Sequence, residues 1–210
     1  MKILRVSLIL IMVLIIGSSI NIVSPYRATV IKIEGTVLKK VNLQNIWVPV
    51  NKGDILDSGD SLKTGENSYA ELRFSDGSTV KINPETEVSI YRDYLSLAIG
   101  YVRLYITKLF PNFEVRTPSA IAGVRGTEFS VEVLEDQTTI VTVYEGEVDV
   151  TAQGRTLRLR KGESGIVKPK SPPEINPVGE KGRNDRGESA QHRLEDRESG
   201  KNGNNRPSRR

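Results

Sequence analysis

The feature that most constrains the fold of this chain is a series of short segments in which apolar and polar residues alternate. Every second residue is apolar in segments 70–74 and 79–82, and Asp76-Gly77 lies between them. Such alternation is typical of strands with one buried face, and Asp-Gly between two strands predicts a hairpin because its tight turn needs positive φ angles. Similar segments recur up to residue 166, and no long amphipathic helix appears. We predict an all-β single domain of short, mostly antiparallel strands, arranged as a sandwich or as a β-roll or solenoid-like fold.

One segment departs from simple alternation. Its apolar residues occupy odd positions from 95 to 99 and even positions from 102 to 106, with Gly100 at the switch. A bulge or turn at this glycine would place both apolar sets on the same face. A short helix over Tyr101–Phe110 is the alternative, because short apolar runs suit either structure.

The N-terminus has the layout of an export signal. The basic segment Met1–Arg5 precedes the apolar run Val6–Ile16, and Gly17-Ser18-Ser19 supplies small residues after it. Residues 1–24 are therefore interpreted as a signal peptide or, if the apolar stretch is extended through Val23, as an uncleaved membrane anchor helix. Both alternatives place the rest of the chain outside the cytoplasm, in the periplasm or secreted, with residues 6–23 holding it to the membrane if they are not cleaved.

The C-terminal segment is poor in apolar residues and rich in Pro, Gly, Asn, Arg and Glu. Such a composition buries too little surface to offset the entropy of ordering the chain. We predict a folded domain over residues 28–168 and a disordered, mixed-charge tail over residues 171–210. The tail is either a tether to an anionic surface or a solvated segment with no partner.

Charge argues against a nucleic-acid partner. The chain has a formal net charge of +4, but residues 27–170 carry 19 basic and 19 acidic residues. The excess of positive charge therefore belongs to the two ends. A neutral domain lacks the basic footprint that attracts phosphate backbones.

Residues for common catalytic chemistry are missing from the predicted domain. The chain contains no cysteine, and His192, its single histidine, lies in the tail. A Ser-His-Asp triad, a thiol nucleophile and a cysteine or histidine metal site are thereby excluded from the domain, and no glycine-rich loop matches a phosphate cradle. We predict no enzymatic activity, no metal and no cofactor; a glycan hydrolase that uses two acidic residues is the remaining enzymatic hypothesis.

Three groups of residues each allow a functional and a structural interpretation. Asp54, Asp57 and Asp60 resemble a calcium loop superficially, but Leu56 occupies a ligand position, and two polar turns explain them as well. Arg125 and Glu128 could clamp a substrate or form an internal ion pair that holds a turn. The tryptophan and six of the seven tyrosines could stack on sugars or pack on strands; they are Trp47, Tyr69, Tyr91, Tyr94, Tyr101, Tyr105 and Tyr144.

A series of motifs in fixed order resembles the FecR-like domain family. These motifs are Ile33-Glu34-Gly35-Thr36-Val37, Trp47-Val48-Pro49-Val50, Gly53-Asp54, Gly59–Gly65, Ala70–Ser78, Phe113–Ala120, Gly123–Phe129, Val141–Val148 and Lys161-Gly162-Glu163. The resemblance covers residues 30–168, and the segment Gly123–Phe129 is its most specific part. The family-motif positions, which we interpret as structural, are Gly59, Asp60, Asp76, Gly77, Gly123, Arg125, Gly126, Thr127, Glu128, Phe129 and Gly146.

The resemblance implies an extracytoplasmic signalling module. Its best-known members are iron-uptake regulators of the inner membrane, which receive a signal from an outer-membrane receptor and control a sigma factor through a cytoplasmic segment. Only about five residues precede the apolar run here, so we expect this chain to lack such a segment. We therefore expect a non-catalytic module for protein–protein interaction, scaffolding or signalling in the cell envelope. A carbohydrate or cell-wall binding module is the alternative.

Overall fold

The structure is a computed structural model that describes residues 27–41, 45–107, 113–124 and 126–176. These residues form 17 strands and no helix. The strands are β1 (Ala28–Glu34), β2 (Val37–Lys40), β3 (Val48–Pro49), β4 (Ile55–Leu56), β5 (Ser61–Thr64), β6 (Tyr69–Phe74), β7 (Thr79–Ile82), β8 (Glu87–Ile90), β9 (Tyr94–Tyr105), β10 (Phe113–Arg116), β11 (Ile121–Val124), β12 (Glu128–Val133), β13 (Thr139–Glu145), β14 (Glu147–Ala152), β15 (Arg155–Arg160), β16 (Ser164–Val167) and β17 (Glu174–Ile175). The all-β prediction is confirmed for this part of the chain.

Two predicted segments, the N-terminal signal or anchor and most of the C-terminal tail, lie outside the described residues. Among the residues that the structure does describe, no helix is long and apolar enough to cross a membrane.

The strands belong to two hydrogen-bonded groups that share β9. Sheet A has the order β4-β1-β6-β7-β9-β12-β13-β16-β17. Sheet B has the order β3-β2-β5-β8-β9-β10-β11-β14-β15. Every described pairing is antiparallel except that of β9 with β10, so the prediction of mostly antiparallel strands is also confirmed.

Both sheets contribute to one hydrophobic core. Phe74 of β6 meets Phe113 of β10 edge-on, with ring centroids 6.5 Å apart. The largest fully buried side chains come from both sheets; they are Phe113, Phe129, Leu56, Leu62, Leu72, Ile82, Ile90, Leu95, Leu97, Leu104, Leu159 and Val30. Because strand side chains alternate, burying one face of each sheet leaves the polar residues between these positions on the outer faces.

Strand β9 passes from one sheet to the other at Gly100. This glycine has a φ of +97°, and a Cβ there would lie 2.5 Å from the Cα of Thr86. Leu97 before it and Val102 after it are both buried, so the alternation shifts by one residue between them, whereas Ile99 is 38% exposed. A bulge is present, but the register shift in the pairing with β8 lies at Ala98 rather than at Gly100, and Ile99 does not share the buried face as predicted. The alternative helix is wrong for residues 101–105, which pair with β7 and β12, because sheet hydrogen bonds on both sides stabilise an extended backbone; residues 108–112 lie outside the described residues.

The predicted Asp76-Gly77 hairpin is also present. Strands β6 and β7 pair from Ala70–Ile82 to Arg73–Thr79, and Gly77 has a φ of +88°. The carboxylate of Asp76 accepts hydrogen bonds from the N–H and the hydroxyl of Ser78 at 2.9 and 2.6 Å. The turn is therefore stabilised by its own side chains, as its sequence predicts.

Strand structure continues beyond the predicted domain boundary at residue 168. Gly165 and Ile166 of β16 pair with Ile175 and Glu174 of β17. The backbone groups of β16 that face away from β13 thereby gain partners. The first residues of the segment assigned to the tail are thus part of sheet A.

Candidate functional site

The outer face of sheet A carries a continuous polar and aromatic surface, which we name the tyrosine–arginine face. It is defined by Lys32, Glu34, Tyr69, Glu71, Lys81, Tyr101, Arg103, Tyr105, Glu128, Ser130 and Tyr144. Strand pairing places one residue from each neighbouring strand in a cross-strand row: Lys32, Glu71, Lys81, Arg103, Ser130, Thr142 and Ser164. Directly opposite side chains in such a row lie close enough to interact. The face is therefore a single surface assembled from strands distant in sequence.

Arg103 lies at the centre of this face. Its Nε and Nη2 atoms donate hydrogen bonds of 3.1 and 2.6 Å to Oε1 of Glu128. The guanidinium carbon lies 4.0 Å from the ring centre of Tyr144 and 5.7 Å from that of Tyr105. Only 27% of the Arg103 side chain and 24% of the Glu128 side chain are exposed. Charge-assisted hydrogen bonds and ring stacking thus hold the guanidinium in one orientation.

The electrostatics of the face favour a charged Arg103. Burial opposes its charge, but the hydrogen bond to Glu128 and the neighbouring Tyr105 and Tyr144 raise its pKa overall. Burial also raises the pKa of Tyr101 and that of Tyr105 above the ordinary value of 10.0. At neutral pH Tyr101 and Tyr105 are therefore uncharged hydroxyl groups beside a fixed cation.

The tyrosine hydroxyls form a second set of contacts. Those of Tyr101 and Tyr144 lie 3.4 Å apart, and that of Tyr144 lies 3.3 Å from Ser130 Oγ. Tyr69 contacts Glu71 through its hydroxyl at 3.2 Å. The rings are thus already oriented, which lowers the entropy that a binding partner would need to remove.

Opposite charges are balanced across the face. Three cations and three carboxylates belong to it: Lys32, Lys81, Arg103, Glu34, Glu71 and Glu128. An even mixture of signs gives no general attraction to phosphate backbones or to anionic surfaces. The face therefore suits a partner with its own pattern of both charges.

Five family-motif residues gather in the loops at one end of the domain. Asp76 accepts a 2.9 Å hydrogen bond from the hydroxyl of Thr107. Ile106, which directly precedes Thr107, donates its N–H to the carbonyl of Thr127 at 2.9 Å. Gly146 has a φ of +86°, and Thr127 fills the position that a Cβ would need. Gly77 and Gly126 complete the group with positive φ angles.

The remaining motif residues lie elsewhere. Gly59 donates its N–H to the carbonyl of Ile90 at 2.7 Å, and the carbonyl of Asp60 accepts the N–H of Ile90 at 2.8 Å. Phe129 is fully buried in the core, and Gly123 lies within β11. The structural role assigned to the motif residues stays a prediction, which the substitutions in the Discussion test.

Glu128 is the motif residue that reaches the tyrosine–arginine face. Its predicted ion-pair partner, Arg125, lies outside the described residues, and Glu128 instead pairs with Arg103 across the strands. The sequence reasoning did not single out Arg103. The available signal was that Tyr101, Arg103 and Tyr105 alternate with buried apolar residues, which puts all three on one outer face.

The three clustered aspartates form intrachain contacts. Asp54 pairs with Lys39 at 2.7 Å, Asp57 pairs with Arg27 at 2.7 Å, and Asp60 Oδ2 accepts the N–H of Asp57 at 2.9 Å. Within the described residues, no three His, Cys, Asp or Glu side chains form a group that could hold a metal ion. The aspartates thus stabilise two turns, as one of the two interpretations of the sequence expects.

The aromatic residues do not form one stacking platform. The rings of Tyr91 and Tyr94 stack with their centres 4.4 Å apart. Tyr94 lies in the part of β9 that belongs to sheet B, and Arg116 lies 3.8 Å from its ring centre. Lys40 lies 5.0 Å from that of Trp47. Sugar binding needs open ring faces, so cations over these rings do not favour the carbohydrate alternative.

Comparison with known proteins supports the resemblance that the motifs predict. Residues 60–149 match the sequence model of the family described as FecR protein. No curated protein matches the chain. Two crystal structures, at 1.65 and 2.50 Å resolution, are similar in part; both are of a Parabacteroides distasonis protein whose description proposes an anti-sigma factor.

The structural similarity is limited in extent. Each of the two structures is 22% identical in sequence to this chain, and the TM-scores are 0.49 and 0.48. Each alignment covers 55% of this chain and 58% of the other protein. The family match itself spans β12 and most of the strands that form the tyrosine–arginine face. Residues 60–149 of this chain thus match the FecR family, which confirms the resemblance predicted from the sequence.

Proposed function

We propose that this chain is a non-catalytic protein-interaction module of the cell envelope, and that its tyrosine–arginine face binds a signalling or scaffolding protein. The observation that carries the proposal is the fixed orientation of Arg103 between Glu128 and Tyr144 at the centre of that face. Tyrosine and arginine are enriched among the residues that dominate binding energy at protein interfaces.

The physical case rests on preorganisation. A long arginine side chain normally loses much rotamer freedom on binding, but Arg103 is already held by two hydrogen bonds and a ring contact. Bidentate and stacked guanidinium groups retain further N–H donors for a partner carboxylate or carbonyl. The balanced charges around Arg103 then favour a protein partner over a uniformly charged polymer.

Location outside the cytoplasm is part of the proposal. It is supported by the charged, apolar and small-residue order of residues 1–19. Added protease should digest the tagged chain in intact spheroplasts if this assignment is correct, while protection from the protease would contradict it. The mature N-terminus, measured by mass spectrometry, distinguishes cleavage near Ile20 from retention of Met1.

The interaction is tested by photo-crosslinking in cells of the source organism. A photoreactive residue at Lys81, on the tyrosine–arginine face, should give a discrete protein adduct, and the same residue at Ser96, on the outer face of sheet B, should not. The substitution Arg103→Lys should reduce the Lys81 adduct because it keeps the charge but loses the two-pronged hydrogen bond. Equal adducts from both positions, or none from Lys81, would contradict the proposal.

A further inference from the structure

Sheet B ends in a long strand whose outer edge has no strand partner among the described residues. Strand β15 pairs along its whole length with β14. The other outermost strands, β3, β4 and β17, contain two residues each, whereas β15 contains six. A six-residue edge without proline or bulge is a template for pairing with another segment.

The direction of the free backbone groups follows from Arg160. Its N–H donates to the carboxylate of Glu163 at 2.7 Å, and its carbonyl accepts the N–H of Glu163 at 2.9 Å. The backbone of Arg160 therefore points away from β14. Since alternate residues of an antiparallel strand point to the same side, Thr156 and Arg158 also present their N–H and C=O groups to the open edge, and both residues are exposed.

The side chains along this edge are basic on the outer face of the sheet. Arg158 is held by Asp149 through bonds of 2.7 and 2.8 Å, and 57% of its side chain remains exposed. Arg160 lies 3.4 Å from Glu147 with 68% of its side chain exposed. Each guanidinium has five N–H donors, so these contacts leave donors for a further carboxylate.

The opposite side of β15 carries the exposed Arg155 at its start and two leucines after it. Leu159 is fully buried, and Leu157 is partly buried against the same core. In an added strand, one set of alternate side chains would therefore lie next to Arg158 and Arg160, and the other set would lie next to Leu157 at the edge of the core.

Charge selects between possible occupants of the edge. A second copy of β15 in antiparallel register would place arginines of one strand against those of the other, and like charges opposite each other are destabilising. An acidic segment instead gains cross-strand ion pairs.

We infer that the β15 edge binds an extended protein segment in which acidic residues alternate with apolar ones, by addition of that segment as a strand to sheet B. Main-chain hydrogen bonds with Thr156 and Arg158 give the pairing, the arginines contact the acidic side chains, and the apolar side chains lie next to Leu157. This inference rests on the proposed function as a protein-binding module, but it uses a different surface from the tyrosine–arginine face. Substitutions in β15 and at Arg103 therefore test the two independently.

The experiment uses the full chain and a fluorescent peptide of repeated Glu-Val pairs, followed by fluorescence anisotropy. We expect binding that weakens with added salt, and about tenfold weaker binding for a peptide of the same composition with all its Glu residues first and for one of repeated Lys-Val pairs. Hydrogen exchange should show that the N–H groups of Thr156 and Arg158 exchange rapidly in the free chain and are protected when the peptide is bound.

Three variants separate backbone pairing from general charge. Thr156→Pro removes the outward N–H and should weaken binding about tenfold, whereas Thr156→Val keeps that N–H and should leave binding unchanged; both lose the hydroxyl contact with Thr151. Arg158→Glu should also weaken binding by about tenfold.

Four outcomes would overturn the inference. They are equal binding of the alternating and rearranged peptides, equal binding by Thr156→Pro and Thr156→Val, no binding of the acidic peptide, and protection of the Thr156 and Arg158 N–H groups in the free chain. The last result would mean that a second copy or another segment of this chain already covers the edge.

Discussion

Arg103 of β9 and Glu128 of β12 are diagonal neighbours on adjacent strands and share two hydrogen bonds to a single carboxylate oxygen, at 3.1 and 2.6 Å. They are 25 residues apart in sequence, and about three quarters of each side chain is shielded from water, with 27% and 24% exposed. The pair ties the FecR motif to the proposed binding face, because Glu128 belongs to the motif and Arg103 to the face.

Glu128→Gln should lower the free energy of unfolding by about 1–2 kcal/mol, because it leaves the partly buried charge of Arg103 without its counter-charge. Asp149→Asn is the matched control. It breaks an equally short ion pair, of 2.7 Å, whose side chains are 57% and 42% exposed, and it should cost less than about 0.5 kcal/mol. Urea denaturation measures both. Equal small effects would show that solvent screens the Arg103 pair as well.

Gly100→Ala should be severely destabilising, by about 3 kcal/mol or more, because it combines a positive φ with a clash against Thr86. Gly154→Ala is the control: its φ is +70°, but nothing lies within 4 Å of an added Cβ. It should cost only about 1 kcal/mol. Thermal unfolding of both variants separates the cost of the positive φ from the cost of the clash with Thr86. A similar loss of stability in both variants would mean that the bend at Gly100 can relax.

Asp76→Ala should destabilise the domain more than Asp136→Ala, by about 1 kcal/mol. The carboxylate of each aspartate accepts two hydrogen bonds, from the N–H and the hydroxyl of the residue two positions later in the chain. That residue is Ser78 for Asp76 and Thr138 for Asp136. Only the Asp76 carboxylate is also bonded to Thr107 at 2.9 Å. Denaturant midpoints of the two variants test whether this extra contact matters. If Asp136→Ala proved the more damaging, the motif Asp76 would lack the structural role assigned to it.

Tyr101 should make stability depend on alkaline pH. Burial raises the pKa of Tyr101 in the folded chain above the ordinary 10.0, so the folded state binds the phenolic proton more tightly than the unfolded state does. Its contribution is fully present below pH 10 and is lost progressively as the pH rises further. Tyr101→Phe should remove this part of the slope, measured by denaturation at several pH values together with tyrosinate absorbance. An unchanged slope would contradict the burial of this hydroxyl.

Local sequence chemistry predicted much of the architecture. The Asp76-Gly77 hairpin and the change of alternation near Gly100 both follow from the conformations that glycine and turn residues allow over a few neighbouring positions. The division of residues between core and surface follows from alternation, which needs only the period of a strand. The helix alternative at residues 101–105 failed because the apolar run there fits either period, and sheet pairing on both sides decides for the strand.

The sequence alone therefore determined the all-β character of the domain, the turn at Asp76-Gly77 and most of the side chains that face the core, because these depend on interactions between near neighbours in the chain. Only the tertiary structure decided that Glu128 pairs with Arg103, that Tyr101, Tyr105 and Tyr144 surround this pair, and that β15 ends sheet B with an edge that no other described strand covers. Those facts depend on the order and register in which distant strands pair, and many registers satisfy the same alternation of apolar and polar residues.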